Sequence, residues 1–223
     1  PVVVGNIQSL YKKIKELRQE FGTIILDEMH HVSSSTFSRV IDKSCARYKI
    51  GLTGTLQRKD GKHVVFRDYF GDNVFKPPKE NFMVPKIDIL QLPIRFIDGT
   101  SIPWANRINE LAYNPEYQHS IAMTASSYAA KGHKVLVVSD RVDFLKNCAK
   151  LTGDNAVYVT GDIPHEERPE ILQQIYKDKD ILYGTQSIFS EGISLNILSC
   201  LILATPVNNE PLLTQLIGRV IRD

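Results

Sequence analysis

The sequence predicts an α/β chain built on parallel sheets, and three observations carry that prediction. Short apolar runs alternate with segments of helical period along most of the chain. Runs such as Thr23-Ile24-Ile25-Leu26 and Val135-Leu136-Val137-Val138 are continuously apolar, as parallel strands covered on both faces are. A length of 223 residues suits two compact domains.

The elements follow in order. Val2-Val3-Val4 reads as a strand. A helix comes next with Leu10, Ile14 and Leu17 on one face and Asn6 as its N-cap. Thr23–Leu26 is a strand, Ser33-Ser34-Ser35 opens a short helix holding Phe37, Val40 and Ile41, and Tyr48–Leu52 is a strand. From Asn114-Pro115 a second series begins: helix 116–130, strand 135–138, helix 141–151, strand 156–159, helix 165–177, strands 181–183 and 198–204, helix 210–221. Between them, Pro77, Pro78, Pro85, Pro93 and Pro103 break the rhythm around the extended runs 86–92 and 94–97. The expected division is therefore a first domain over 1–95, a linker over 96–113 and a second domain over 114–223. Trp104 and Tyr113 read as packing residues, and His119, His133 and His165 as surface residues.

Composition narrows the function classes. Hydrophobic residues make up 43% and charged residues 23%, enough apolar content for a core and too much for a disordered chain. No apolar stretch approaches the roughly 18 residues of a membrane span, and no signal peptide opens the chain. It opens in an apolar run without Met, which points to a longer parent. Cys45, Cys148 and Cys200 have neither a disulfide nor a metal-ligand spacing, so an intracellular setting is expected. Residues 1–112 carry 17 Lys+Arg against 12 Asp+Glu, and residues 113–223 carry 10 against 13. The positive half points to a polyanion partner, with a normally solvated surface as the alternative.

Three clusters bear chemistry. Asp27-Glu28 follows the apolar run Ile24–Leu26, which places two carboxylates at the carboxyl end of a strand, where open α/β sheets bind ligands. An Asp there can hold Mg2+, and the next Glu can orient or deprotonate a water. A solvated acidic turn is the alternative. Thr53-Gly54-Thr55 after Leu52 places hydroxyls around a glycine at another strand end, a relay or a plain turn. Gln215, Arg219 and Arg222, at i, i+4 and i+7, share one face if the helix runs through them, and guanidinium groups suit phosphoryl charge.

In this order the clusters resemble the superfamily-2 helicases and translocases. Asp27-Glu28-Met29-His30 is similar to motif II of that family, the Walker B box. Thr53-Gly54-Thr55 resembles motif III, Val135–Asp140 motif IV, Thr185–Leu195 with Glu191-Gly192-Ile193 motif V, and Gln215-x-x-Gly218-Arg219-x-x-Arg222 motif VI. Thr160-Gly161 with Arg168, and Gln8-Ser9-Leu10 ahead of motif II, fit as well. The wording of 51–61 resembles most the xeroderma pigmentosum B-type and phage UvsW-type branch.

The resemblance implies two RecA-like (P-loop NTPase) domains, the first truncated at its N-terminus, with ATP between them. Asp27 and Glu28 would take Mg2+ and the attacking water, and His30 would couple that site to Thr53, Gly54 and Thr55. Gly192 would contact the nucleotide, and Gln215, Arg219 and Arg222 would reach its phosphates. DNA, whether single-stranded, duplex or branched, would be gripped by Arg58, Lys59, Lys62 and Arg67 and by Thr185 and Gln186. Repair or recombination is the implied setting.

The chain departs from the family at three points. It has no Gly-x-x-x-x-Gly-Lys-Ser/Thr; Gly61-Lys62 runs into His63. The family carries that loop upstream, so these 223 residues alone are expected to bind ATP poorly and to hydrolyse it slowly or not at all. Met29 replaces the commoner Ala of motif II, and Ser194 stands where many members have Asp. The competing expectation is a catalytically inactive nucleic-acid-binding or regulatory module that keeps the fold.

Overall fold

The structure is a computed structural model that describes residues 2–17, 19–29, 35–54, 65–76, 84–94, 102–190, 193 and 195–221. The chain divides into two compact units, Pro1–Glu80 and Asn81–Asp223. Residues 84–94, read from sequence as the end of the first domain, are counted with the second. There Asp88 accepts a hydrogen bond from the Tyr128 hydroxyl at 3.0 Å.

The first unit runs α1 (Ile7–Leu17), β1 (Thr23–Leu26), α2 (Ser35–Lys43), β2 (Tyr48–Gly51) and α3 (Val65–Phe70). The Asn6 side chain caps α1 by accepting from Gln8 N–H at 2.9 Å, as the sequence implies. β1 and β2 pair in parallel, Ile25 opposite Ile50. One face of the pair meets a core of Leu26, Met29, Ile41 and Phe66, with Ile7, Phe37, Tyr69 and Phe70 packed around it. Side chains alternate along a strand, so Ile25, Tyr48 and Ile50 stand on the other face, where they are exposed. Val2–Val4 forms no strand: it is exposed and lacks a ladder partner among the described residues.

The second unit holds α4 (Trp104–Tyr113), α5 (Pro115–Ala130), β3 (Val135–Ser139), α6 (Val142–Thr152), β4 (Ala156–Val159), α7 (Arg168–Lys177), β5 (Ile181–Thr185), α8 (Gln186–Ser190), β6 (Cys200–Leu203) and α9 (Glu210–Ile217). Among the described residues its four strands are all parallel, in the order β4-β5-β3-β6. Central strands β3 and β5 are wholly buried, as their unbroken apolar runs require. Val135, Val137, Ile181 and Tyr183 face α5 and α6 through Ile121, Ala125, Phe144 and Cys148. Leu136, Val138 and Leu182 face Ile175, Ile188, Phe189 and Leu216 of α7, α8 and α9. Each such side chain contributes about 1.5–3 kcal/mol on burial. Burial also pushes the Cys148 thiol up to about 12.

Two expectations change here. Region 96–113 contains α4, whose Ile108 and Ala112 are buried, while Trp104 and Tyr113 are 60% and 67% exposed rather than packed. The final α-helix stops at Ile217, not near 221, and continues as turns in which Arg219 N–H and Val220 N–H bond carbonyls three residues back.

Candidate functional site: the acidic strand end and the carboxyl edge of the second sheet

In the first unit the site grows from the end of β1. Leu26 is buried, and the chain then turns so that Asp27 and Glu28 are exposed. Asp27 Oδ1 accepts from Glu28 N–H at 2.9 Å. Glu28 has φ 49°, among the described residues the single non-glycine in the left-handed region. That conformation costs a non-glycine residue about 1–3 kcal/mol and collects at functional sites. Two backbone bonds hold the turn. Leu52 N–H donates to Leu26 O at 2.8 Å, and Met29 N–H donates to Leu52 O at 2.9 Å. The acidic turn is thus stitched to the residue just before Thr53-Gly54.

Met29 has its own reason. Its side chain is buried against Gly51, and a Cβ at position 51 would collide with the Met29 sulfur. The larger residue in place of the commoner Ala is accommodated by the missing side chain on the neighbouring strand.

Two exposed carboxylates on a fixed strand end suit Mg2+, which takes one or two carboxylates and completes its shell with water and phosphate. Among the described residues no group of three or more His, Cys, Asp or Glu could hold a metal by itself.

In the second unit the carboxyl ends of β3, β5 and β6 lie side by side. Ser139 and Thr185 are register partners at that edge. The Thr185 hydroxyl is buried and has no hydrogen-bond partner among the described residues. The Gln186 amide is turned inward and donates to Thr205 Oγ1 at 3.3 Å. Arg141 donates from its guanidinium to Asp140 Oδ2 at 2.6 Å and from Nε to Asn109 Oδ1 of α4 at 2.7 Å. Arg168 Nε donates to Ile163 O at 3.1 Å. Arg168, His165, Leu172, Ser187 and Ile193 line a cavity of about 410 Å³ beside the start of α8. Lys146 donates to Asp162 at 2.5 Å, and this with the Thr160 hydroxyl holds the Asp162 carboxyl down to about 2.

Arg219 stands just past α9. Its Nε donates to the Phe189 carbonyl at 2.9 Å. Phe189 is fully buried, and its ring covers Gly184, where a Cβ would strike it. Gln215 is half-buried on α9. In the first unit Arg67 is exposed on α3 and paired with Asp72 at 3.3 Å.

The structure thus places Asp27 and Glu28 beside Thr53 and Gly54, and Thr185 and Gln186 on one edge with Ser139 and Asp140. His30, Thr55, Arg58, Lys59, Lys62, Gly192 and Arg222 lie outside the described residues. Sequence reasoning missed Thr205, Asn109 and Phe189. Thr205 carried a usable signal, since it is the first polar residue after the apolar run 201–204, as Asp27 is after 24–26.

Two family models match. Residues 118–223 match the helicase conserved C-terminal domain, and residues 1–58 match the type III restriction enzyme, res subunit. The probable helicase D10 of Escherichia phage T5 is 44% identical over 226 residues, which cover all of this chain and 50% of D10. The ATP-dependent DNA helicase uvsW of Enterobacteria phage T4 is 28% identical over 245 residues, covering all of this chain and 47% of uvsW. The chain therefore spans about half the length of the curated relatives it matches. Among solved structures, Dbp5 of S. cerevisiae bound to RNA and ADP BeF3 aligns with TM-score 0.60 at 12% identity, over 98% of this chain and 55% of Dbp5, a likeness of fold. No described helix is long and apolar enough to cross a membrane. With its motifs in order, its parallel sheets and these relatives, the chain belongs to the superfamily-2 helicases and has their RecA-like fold.

Proposed function

We propose that the full-length protein is an ATP-dependent DNA helicase or translocase that couples ATP hydrolysis to movement on, or remodelling of, DNA in repair or recombination. The observation that carries the reading is the acidic turn. Asp27 and Glu28 are displayed at a strand end, Glu28 in a strained conformation, and both are tied through Met29 and Leu52 to Thr53-Gly54. A turn that was merely solvated would have no use for that strain or that stitching.

Asp27 and Glu28 would hold Mg2+, and Glu28 would orient the attacking water. His30 passes the state of that site to Thr53, Gly54 and Thr55. Bound ATP supplies the γ-phosphoryl group. Gln215, Arg219 and Arg222 are the residues for phosphate charge, with Arg219 anchored on Phe189, and Gly192 is a nucleotide-binding residue. The 223 residues alone, without a Gly-Lys-Ser/Thr loop, bind ATP poorly.

DNA is gripped mainly through its phosphates. Arg58, Lys59, Lys62 and Arg67 supply charge in the first unit. Thr185 supplies a hydroxyl whose open hydrogen-bonding capacity suits a phosphate oxygen. Gln186, with its amide turned inward, holds the edge in place. The name of the relative uvsW, a DNA helicase, supports DNA over RNA.

The test is ATP hydrolysis by the full-length protein alone, with single-stranded, duplex and branched DNA, and with RNA. Stimulation by DNA is expected. Stimulation by RNA alone reassigns the substrate, and no hydrolysis under any condition refutes the motor.

A further inference from the structure

Thr205 lies two residues beyond β6 and is 2% exposed. None of the family motifs quoted above contains it. Its hydroxyl is 3.1 Å from Ser139 Oγ and 3.2 Å from Asp140 Oδ1, in reach of donating to either. It accepts from Gln186 Nε2 at 3.3 Å and from the Asp140 backbone N–H at 3.4 Å. A hydroxyl has one proton and two lone pairs, so these neighbours use its whole capacity.

The partners come from three neighbouring segments. Ser139 and Asp140 end β3, Gln186 opens α8 straight after β5, and Thr205 follows β6. The Ser139 hydroxyl carries the pattern one step further by accepting from Arg141 N–H at 3.1 Å. The node therefore sits beneath the edge that carries Thr185, Arg141 and the start of α8. A buried hydroxyl with every bonding position filled fixes the segments that supply its partners. An apolar residue of the same shape fills the space and fixes nothing.

We propose that Thr205 is a positioning residue of the nucleic-acid site: its hydroxyl sets where Thr185-Gln186 and Asp140-Arg141 stand, and so how tightly the strand is held. It acts through those residues and does not touch the strand itself. The inference rests on the reading of this edge as a nucleic-acid site.

The experiment uses the full-length protein with Thr205→Val, which keeps the shape and removes the hydroxyl, and Thr205→Ser, which restores it. The readouts are the single-stranded DNA concentration that half-saturates stimulation of ATP hydrolysis, the maximal stimulated rate and the thermal midpoint. For Thr205→Val the half-saturating concentration rises about tenfold, the size of one lost buried hydrogen bond, with a smaller change in maximal rate. Thr205→Ser returns it to within about twofold of wild type. Thr205→Cys, with its weakly bonding thiol, carries the same reading if the Val variant does not fold. A Val variant with the wild-type value overturns the proposal, as does a Ser variant as impaired as Val. In both cases the motor stands, because the wild type is still stimulated. A wild type that DNA does not stimulate removes the underlying reading and this inference together.

Discussion

Arg219 and Phe189 are joined by a hydrogen bond from the Arg219 Nε to the Phe189 backbone carbonyl at 2.9 Å. Phe189 belongs to α8, which follows directly on Thr185 at the end of β5. The arginine assigned to phosphate and the threonine assigned to nucleic acid therefore meet at the same short helix.

Lysine cannot reproduce that anchor, since it has no Nε–H fork and offers a compact point charge. Arg219→Lys in the full-length protein is expected to lower the DNA-stimulated kcat by about 10³-fold, as loss of an arginine finger does. Steady-state ATPase measurement checks it, and a rate within a few-fold of wild type would show that charge alone suffices.

Gly184 is expected to resist even alanine. A Cβ there would meet the ring of Phe189, which is fully buried. Overpacking of this kind costs about 1–3 kcal/mol. Gly184→Ala should therefore lower the denaturant midpoint, and pairing it with Phe189→Leu should recover part of the loss. A midpoint equal to wild type would show that α8 shifts without strain.

Asp162 makes stability depend on pH in a defined window. The Lys146 ammonium, followed by the Thr160 hydroxyl, holds its carboxyl down to about 2 in the folded chain, against about 3.9 when unfolded. A depressed carboxyl stabilises above the unfolded value, and the contribution is lost as pH falls through the folded one. Asp162→Asn should lower the urea midpoint by a constant, small amount above about pH 5, since the pair is exposed. The gap should close between about pH 4 and 2. A gap that widens on acidification has the wrong sign for this pair.

Much of the fold was legible because burial on both faces of a sheet writes itself as unbroken apolar runs. β3 and β5 are such runs, and Asn114 announces α5 by capping it, accepting from Tyr117 N–H at 3.1 Å. α4 was hidden by its surroundings. Pro103 precedes it without a side-chain cap, and the prolines before it made the region resemble a linker. Val2–Val4 has the composition of a strand, but a strand needs a ladder partner, which composition does not supply. The acidic turn was legible as a change from apolar to charged at a strand end. Thr205 obeys the same rule and was passed over because a single hydroxyl is a weaker signal than two carboxylates. The inward turn of Gln186 depends on Thr205 across the sheet, a contact between residues 19 apart in sequence that no local pattern encodes.

The strained acidic turn is proposed to perform hydrolysis, and Glu28→Gln in the full-length protein tests that role most directly. The substitution keeps the size of the side chain and removes its charge. DNA-stimulated ATP hydrolysis should fall by at least about 10²-fold while ATP still binds, measured by steady-state rate and nucleotide titration on the same preparation. A variant that hydrolyses ATP at the wild-type rate would contradict the assignment of Glu28 and the account built on it.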